Sequence, residues 1–131
     1  MDDLENIVNE PAIRYERACK GISKSDFLSI VAYSGLNLTE FSKLLPVSKR
    51  TIEKSKDTEL LNPIVSDRVL QLGALYQYGT EVFGDKESLK EWINSSLIAL
   101  GGKKPIDFMN NDTGISMIKD LLGRIEHGVY S

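Results

Sequence analysis

The stretch Leu38-Thr39-Glu40-Phe41-Ser42-Lys43-Leu44-Leu45-Pro46-Val47-Ser48-Lys49-Arg50-Thr51-Ile52-Glu53-Lys54-Ser55 decides the fold. Asn37 stands just before it, and Asn37 with Glu40 three residues on has the form of a capping box with Asn in place of Ser or Thr. Phe41, Leu44 and Leu45 then face inward from a short helix, and Pro46 ends it. Ser48 is a good N-cap for a second helix, which buries Ile52. Two short helices, residues 38–45 and 49–55, are thus joined by a tight Pro46-Val47-Ser48 turn, which is the helix-turn-helix pattern. The second helix is the basic one, with Lys49, Arg50, Glu53 and Lys54 left to project outward.

Upstream, residues 1–10 are polar and acidic and read as loose. Pro11 suits a first helical turn, residues 12–20 read as a helix, and Gly21 takes the place of its C-terminal cap. Ser25-Asp26 open a second helix through Tyr33, with Phe27, Ile30, Val31 and Ser34 near one face, and Gly35 ends it. Downstream, Asn62-Pro63 supply an N-cap and a first-turn proline for a long helix to about Gly79 or Phe83, with Val65, Val69, Leu72 and Tyr76 as its inner stripe. Gly84-Asp85 break it. Asp85 caps a helix from Lys86 to about Ser95 that buries Leu89, Trp92 and Ile93. Residues 97–100 form an apolar connector, Gly101-Gly102 a turn, and Pro105 starts one helical turn with Ile106 and Phe108. Asn110-Asn111-Asp112 lead into a last helix. No stretch reads as a strand, so the chain is expected to be all-α, with domains at residues 1–61 and 62–131.

The last helix has two faces. Ile115, Ile118, Leu122, Ile125 and Val129 recur at helical spacing as an apolar stripe. Asp120, Gly123, Arg124 and His127 make a second stripe. A glycine inside a helix costs roughly 1 kcal/mol relative to alanine. A solvated face has no need of it, whereas a surface that another backbone approaches closely does. A tolerated glycine on a solvated face fits the pattern equally well.

The 131 residues suit one compact core or two small subdomains. With 41% apolar and 27% charged residues the composition is that of a soluble globular chain. No apolar run approaches the roughly 20 residues that span a bilayer. The acidic start lacks the basic and apolar regions of a signal peptide, and a cytoplasmic location is expected. Cys19 is the only cysteine and His127 the only histidine, which leaves no internal disulfide and makes a zinc site, or any metal site, unexpected. Gly101-Gly102-Lys103-Lys104-Pro105 is not a phosphate loop. No cofactor and no catalysis are expected. The net charge of −3 argues against indiscriminate nucleic-acid binding, yet residues 48–56 hold Lys49, Arg50, Lys54 and Lys56 against Glu53 alone.

Beyond the helix-turn-helix, a series of motifs follows in order: Ser66-Asp67-Arg68, Val82-Phe83-Gly84, Trp92, Ala99-Leu100-Gly101-Gly102-Lys103-Lys104-Pro105, Gly114, and Leu122-Gly123-Arg124-Ile125-Glu126-His127-Gly128-Val129-Tyr130-Ser131. In order and spacing this series resembles the toxin-binding domain of the Xre/MbcA/ParS-type antitoxins of bacterial type II toxin–antitoxin modules. The likeness runs from about residue 20 to residue 131. It implies an Xre/Cro-like helix-turn-helix subdomain followed by a small helical toxin-binding domain. It also implies a two-part function: repression of the chain's own operon, and neutralisation of a cognate toxin. That toxin is typically a RES-domain enzyme that consumes NAD or uses it to modify a protein, and the antitoxin blocks its NAD pocket. Pro46 departs from the usual pattern, because such turns commonly carry a glycine in a left-handed conformation that proline cannot adopt. The turn is therefore expected to be built differently.

For operator DNA the candidates are Ser48, Lys49, Arg50, Thr51 and Lys54, since the start of a recognition helix meets base edges. Arg50 suits guanine, while the lysines and Ser48 suit phosphates. The same residues also fit a solvated basic face. For the toxin the candidates are Gly123, Arg124, His127, Gly128, Val129, Tyr130 and Ser131, with Lys103 and Lys104 in addition. Gly128 can end the helix, and Val129 and Tyr130 can then enter a pocket, or Tyr130 can pack on its own domain. Trp92 and Leu100 read as core. Arg68 fits either a salt bridge with Asp67 or a partner contact. A helix-turn-helix that reads two half-sites implies a homodimer. The alternative from another class is a stand-alone regulator whose C-terminal domain only dimerises.

Overall fold

The computed structural model describes residues 10–128. Among them are seven α-helices, two short 3-10 helices and no strand, only two isolated bridges. The α-helices are α1 (Pro11–Lys20), α2 (Lys24–Ser34), α3 (Leu38–Ser42), α4 (Lys49–Lys54), α5 (Pro63–Phe83), α6 (Lys86–Ile93) and α7 (Asp112–Glu126). The 3-10 helices, Ile98–Leu100 and Pro105–Phe108, lie between α6 and α7. The chain forms two compact units that part between Ala74 and Leu75, inside α5, whereas the sequence boundary was expected at the start of that helix.

Local sequence accounts for most helix ends. The Asn37 carboxamide accepts from the Glu40 N–H at 2.7 Å, and the Glu40 carboxylate accepts from the Asn37 N–H at 3.1 Å. This reciprocal pair satisfies two of the N–H groups that a helix start leaves unpaired. Ser48, Asp85 and Asn111 each accept from the backbone N–H three residues on. Two expectations shift. Helix α2 opens at Lys24, one residue before the expected Ser25-Asp26 start, and its cap is Ser23, whose hydroxyl accepts from the Asp26 N–H at 3.1 Å. Helix α3 ends at Ser42, so Leu44 and Leu45 are buried from a tight turn and not from the helix itself.

In the N-terminal unit Phe27, Ile30, Phe41, Ile52, Val65 and Val69 are buried, and Phe27 meets Phe41 edge to face with centroids 5.7 Å apart. Burying each such side chain contributes about 1.5–3 kcal/mol. Ser66 has no exposed surface; its hydroxyl accepts from the Ile22 N–H at 2.9 Å and donates to the Leu61 carbonyl at 3.2 Å. That one hydroxyl ties the chain before α2 to the chain before α5.

In the C-terminal unit Leu89, Ile93, Met109, Ile115, Ile118 and Leu122 are buried. The apolar stripe of α7 is thus confirmed through Leu122, with Ile125 half-buried and Val129 outside the described residues. Trp92 is half-buried and not part of the core as expected: it packs on Phe83, centroids 5.5 Å apart, at the edge of the unit. Gly114 is buried, and a Cβ there would overlap the carbonyl oxygen of Phe108. The first turn of α7 rests against the backbone of the preceding 3-10 helix, and only glycine permits that approach.

Candidate DNA and toxin interfaces

Helix α4 is six residues long, too short to be stable by itself. Ile52, 1% exposed, is its one buried side chain. Lys49, Arg50, Thr51, Glu53 and Lys54 are all exposed, so the structure places the expected DNA-facing residues together on one outward surface. Ser48 is also exposed. Its hydroxyl accepts from the Thr51 N–H at 3.2 Å and lies 2.9 Å from the Thr51 hydroxyl. Two hydroxyl protons share that one side-chain contact, so one O–H is left to donate elsewhere.

The sequence did not reveal what holds this short helix. The Lys24 ammonium donates to the Ser55 carbonyl at 2.8 Å and to the Glu53 carbonyl at 3.3 Å. These are acceptors that a helix end leaves unpaired, and a cation suits the negative end of the helix dipole. The segment behind α4 is laced to the start of α2: the Ser25 N–H donates to Asp57, the Lys24 N–H to Glu59 and the Leu61 N–H to Ile22. Arg68 donates from Nη1 to the Leu44 carbonyl at 3.1 Å and so braces the helix-turn-helix turn, a role neither of its sequence readings named.

The turn itself follows from Pro46. No residue other than glycine has positive φ among the described residues. The chain instead tightens through bonds from the Leu44 N–H to Phe41 and from the Leu45 N–H to Ser42. Pro46 is compatible with that geometry because no left-handed residue is needed.

In the C-terminal unit Arg124, His127 and Gly128 are exposed on the end of α7, and Gly123 is half-buried. Tyr78 lies beside it. The Tyr78 hydroxyl would be 3.5 Å from a Cβ at Gly123 and donates to the Glu126 carboxylate at 2.9 Å. Desolvation first, then that hydrogen bond and the charges of Glu126 and Glu81, raise the Tyr78 phenol above its usual value, so it remains a donor at neutral pH. His127 Nε2 is 3.6 Å from the Glu126 carboxylate. A Cβ at Gly123 would make only ordinary contact, so packing within the described residues does not require glycine there, in contrast to Gly114. Gly128, at φ 71°, takes the left-handed form that ends a helix. Lys103 and Lys104 are exposed beside the Gly101-Gly102 turn, and Leu100 is buried as expected. Val129, Tyr130 and Ser131 lie outside the described residues.

No group of three or more His, Cys, Asp or Glu side chains that could hold a metal occurs among the described residues. No helix among them is long and apolar enough to cross a membrane.

Comparison with known proteins follows the same division. Residues 14–73 match the antitoxin Xre-like helix-turn-helix domain, and residues 79–128 match the antitoxin Xre/MbcA/ParS C-terminal toxin-binding domain. The antitoxin Xre of Yersinia enterocolitica is 25% identical over 113 residues, covering 85% of this chain and 76% of the relative. The Prs ADP-ribosylating antitoxin of a Sphingobium species is 27% identical over 122 residues, covering 86% and 77%. A chain of the M. tuberculosis MbcT-MbcA toxin-antitoxin complex shares the fold, with a TM-score of 0.62 at 18% identity over 82% of this chain and 96% of that one. With an Xre-like helix-turn-helix ahead of an Xre/MbcA/ParS toxin-binding domain, the chain belongs to the Xre/MbcA/ParS family of toxin–antitoxin antitoxins.

Proposed function

We infer that this antitoxin neutralises a cognate RES-type, NAD-consuming toxin by occluding its active site, and that it represses its own operon through the helix-turn-helix, acting as a homodimer within the toxin–antitoxin complex. The observation that carries the reading is the order of the two domains in one chain, an Xre-like helix-turn-helix ahead of a toxin-binding domain. The name of one relative, Prs ADP-ribosylating antitoxin, supports NAD chemistry in the partner, since ADP-ribose is transferred from NAD. The chain's contribution is binding.

On the DNA side, Arg50 takes a guanine edge, Lys49 and Lys54 take phosphates, and Ser48 and Thr51 share the one free hydroxyl proton. The exposed basic surface of α4 supports that assignment. On the toxin side, Gly123 permits close approach, Arg124 and His127 flank it, Gly128 turns the chain, and Val129, Tyr130 and Ser131 reach the toxin's pocket. Lys103 and Lys104 meet acidic groups at the rim.

Co-expression with the protein encoded by the adjacent reading frame tests the reading. A stable complex that suppresses the neighbour's toxicity and its NAD consumption is expected. A chain purified as a lone homodimer that still shifts its operator identifies instead a stand-alone regulator. Removing residues 128–131 is expected to weaken neutralisation while the domain stays folded. Full protection by that truncated chain refutes insertion of the terminus.

A further inference from the structure

The most exposed large apolar side chain among the described residues is Ile98, at 98%. The fold gains nothing from it. A lone exposed isoleucine is ordinary on a protein surface, but this one stands on a closed frame. The Leu97 N–H donates to the Lys103 carbonyl at 3.0 Å, and the Gly102 N–H to the Leu97 carbonyl at 2.8 Å. The Leu100 N–H donates to Leu97 and the Gly101 N–H to Ile98, both at 3.0 Å. Gly101 and Gly102, at φ 67° and 83°, reverse the chain in backbone that side chains rarely adopt. Leu100, 8% exposed, fixes the inner side of the turn while Ile98 points out. The backbone of Ile98 is thus ordered before any partner arrives, which removes part of the entropic cost of binding. Lys103 and Lys104 leave the same turn, both exposed.

We propose that the 97–103 turn is a preformed anchor for the toxin, in which Ile98 enters an apolar recess and Lys103 and Lys104 meet carboxylates around it. This rests on the toxin-binding reading above. The turn lies within the residues that match the toxin-binding domain, and that placement, with two lysines at its rim, is the ground for taking the toxin as the occupant. Well-packed apolar anchors surrounded by polar rims carry much of the energy of protein interfaces. Paired charges at the rim act more on association rate than on affinity.

The test uses the full chain and the protein encoded by the adjacent reading frame, with affinity read by calorimetry and assembly by sedimentation. Ile98→Ala is expected to weaken the complex about tenfold, and Ile98→Asp about a hundredfold. The double variant Lys103→Glu with Lys104→Glu is expected to slow association about tenfold at low salt, with the difference shrinking as salt rises. Because the Ile98 side chain is exposed, helical circular dichroism and operator binding should match the parent. If the parent complex forms and Ile98→Asp binds within about twofold of it, the anchor is overturned and the toxin-binding reading stands. If Ile98→Asp dissociates a homodimer without changing toxin affinity, the occupant is a second copy and the proposal fails. If the parent chain makes no complex, both readings fall together.

Discussion

Helices α4 and α7 each present candidate partner-facing residues, and they are held in opposite ways. Helix α4 has six residues and one buried side chain, Ile52. Its position is set from outside, by the Lys24 ammonium on its last carbonyls, by Arg68 on the turn before it, and by backbone bonds to the segment after it. Helix α7 has fifteen residues and is held along its own inner face: Gly114 seats its first turn on Phe108, and Ile115, Ile118 and Leu122 bury its inner stripe. Its far end is left to carry Gly123, Arg124 and His127. A short helix borrows rigidity from distant residues, and a long one can be fixed at one end and offer the other.

The contrast is most severely tested at Gly114. Alanine there must displace backbone and not a flexible side chain, so Gly114→Ala is expected to cost about 3 kcal/mol, the upper end for overpacking. Urea unfolding followed by circular dichroism would measure it, and an unchanged midpoint would remove the anchored-end account of α7. Next comes the outward face of α4. Arg50→Ala is expected to cost about 1–3 kcal/mol of operator affinity while leaving toxin binding intact. A gel shift with undiminished binding would return Arg50 to a merely solvated role.

Lys24→Met probes the borrowed rigidity of α4. It leaves the two carbonyls without their charged donor, and the expected cost is about 1.5 kcal/mol. Amide exchange should accelerate first at Ser55, and Lys24→Arg should restore part of the loss. Uniform acceleration across the unit would mean that Lys24 stabilises the fold at large and does not position α4 in particular. The smallest effect is expected at Gly123. Relief of the glycine penalty should raise stability by up to about 1 kcal/mol in Gly123→Ala, since the new methyl group has room beneath the Tyr78 hydroxyl. Under the proposed toxin contact the same variant loses toxin affinity. A more stable variant with unchanged affinity would show that the glycine is merely tolerated.

Much of the fold was legible in the sequence because it is decided locally. The Asn37–Glu40 capping box, the Ser48, Asp85 and Asn111 caps and the apolar stripes of α5 and α7 all follow from residues three or four apart. The misjudged elements are those where packing outweighs local signals. Leu44 and Leu45 suggested another turn of α3, but burial from the turn serves them as well once Arg68 holds the Leu44 carbonyl. Trp92 suggested core, yet an amphipathic ring packs comfortably at an edge against Phe83. Of the two glycines of α7, only Gly123 was weighed from the sequence for close approach, whereas the position of the Phe108 carbonyl makes Gly114 the one that the fold requires.

Local sequence was enough to specify an all-α chain with a helix-turn-helix ahead of a helical toxin-binding domain, and to mark α4 and the end of α7 as its candidate partner-facing surfaces. Capping and periodicity act over one or two helical turns, so their outcome can be read without knowing how the chain returns on itself. Tertiary structure alone decided what fixes those surfaces. Lys24 meets Ser55 across 31 positions, Arg68 meets Leu44 across 24, and Ile22 meets Ser66 across 44. Such pairs are selected by the spatial convergence of whole helices, which no local pattern encodes. The same convergence leaves Ile98 outside while it draws Leu100, two residues away, into the core.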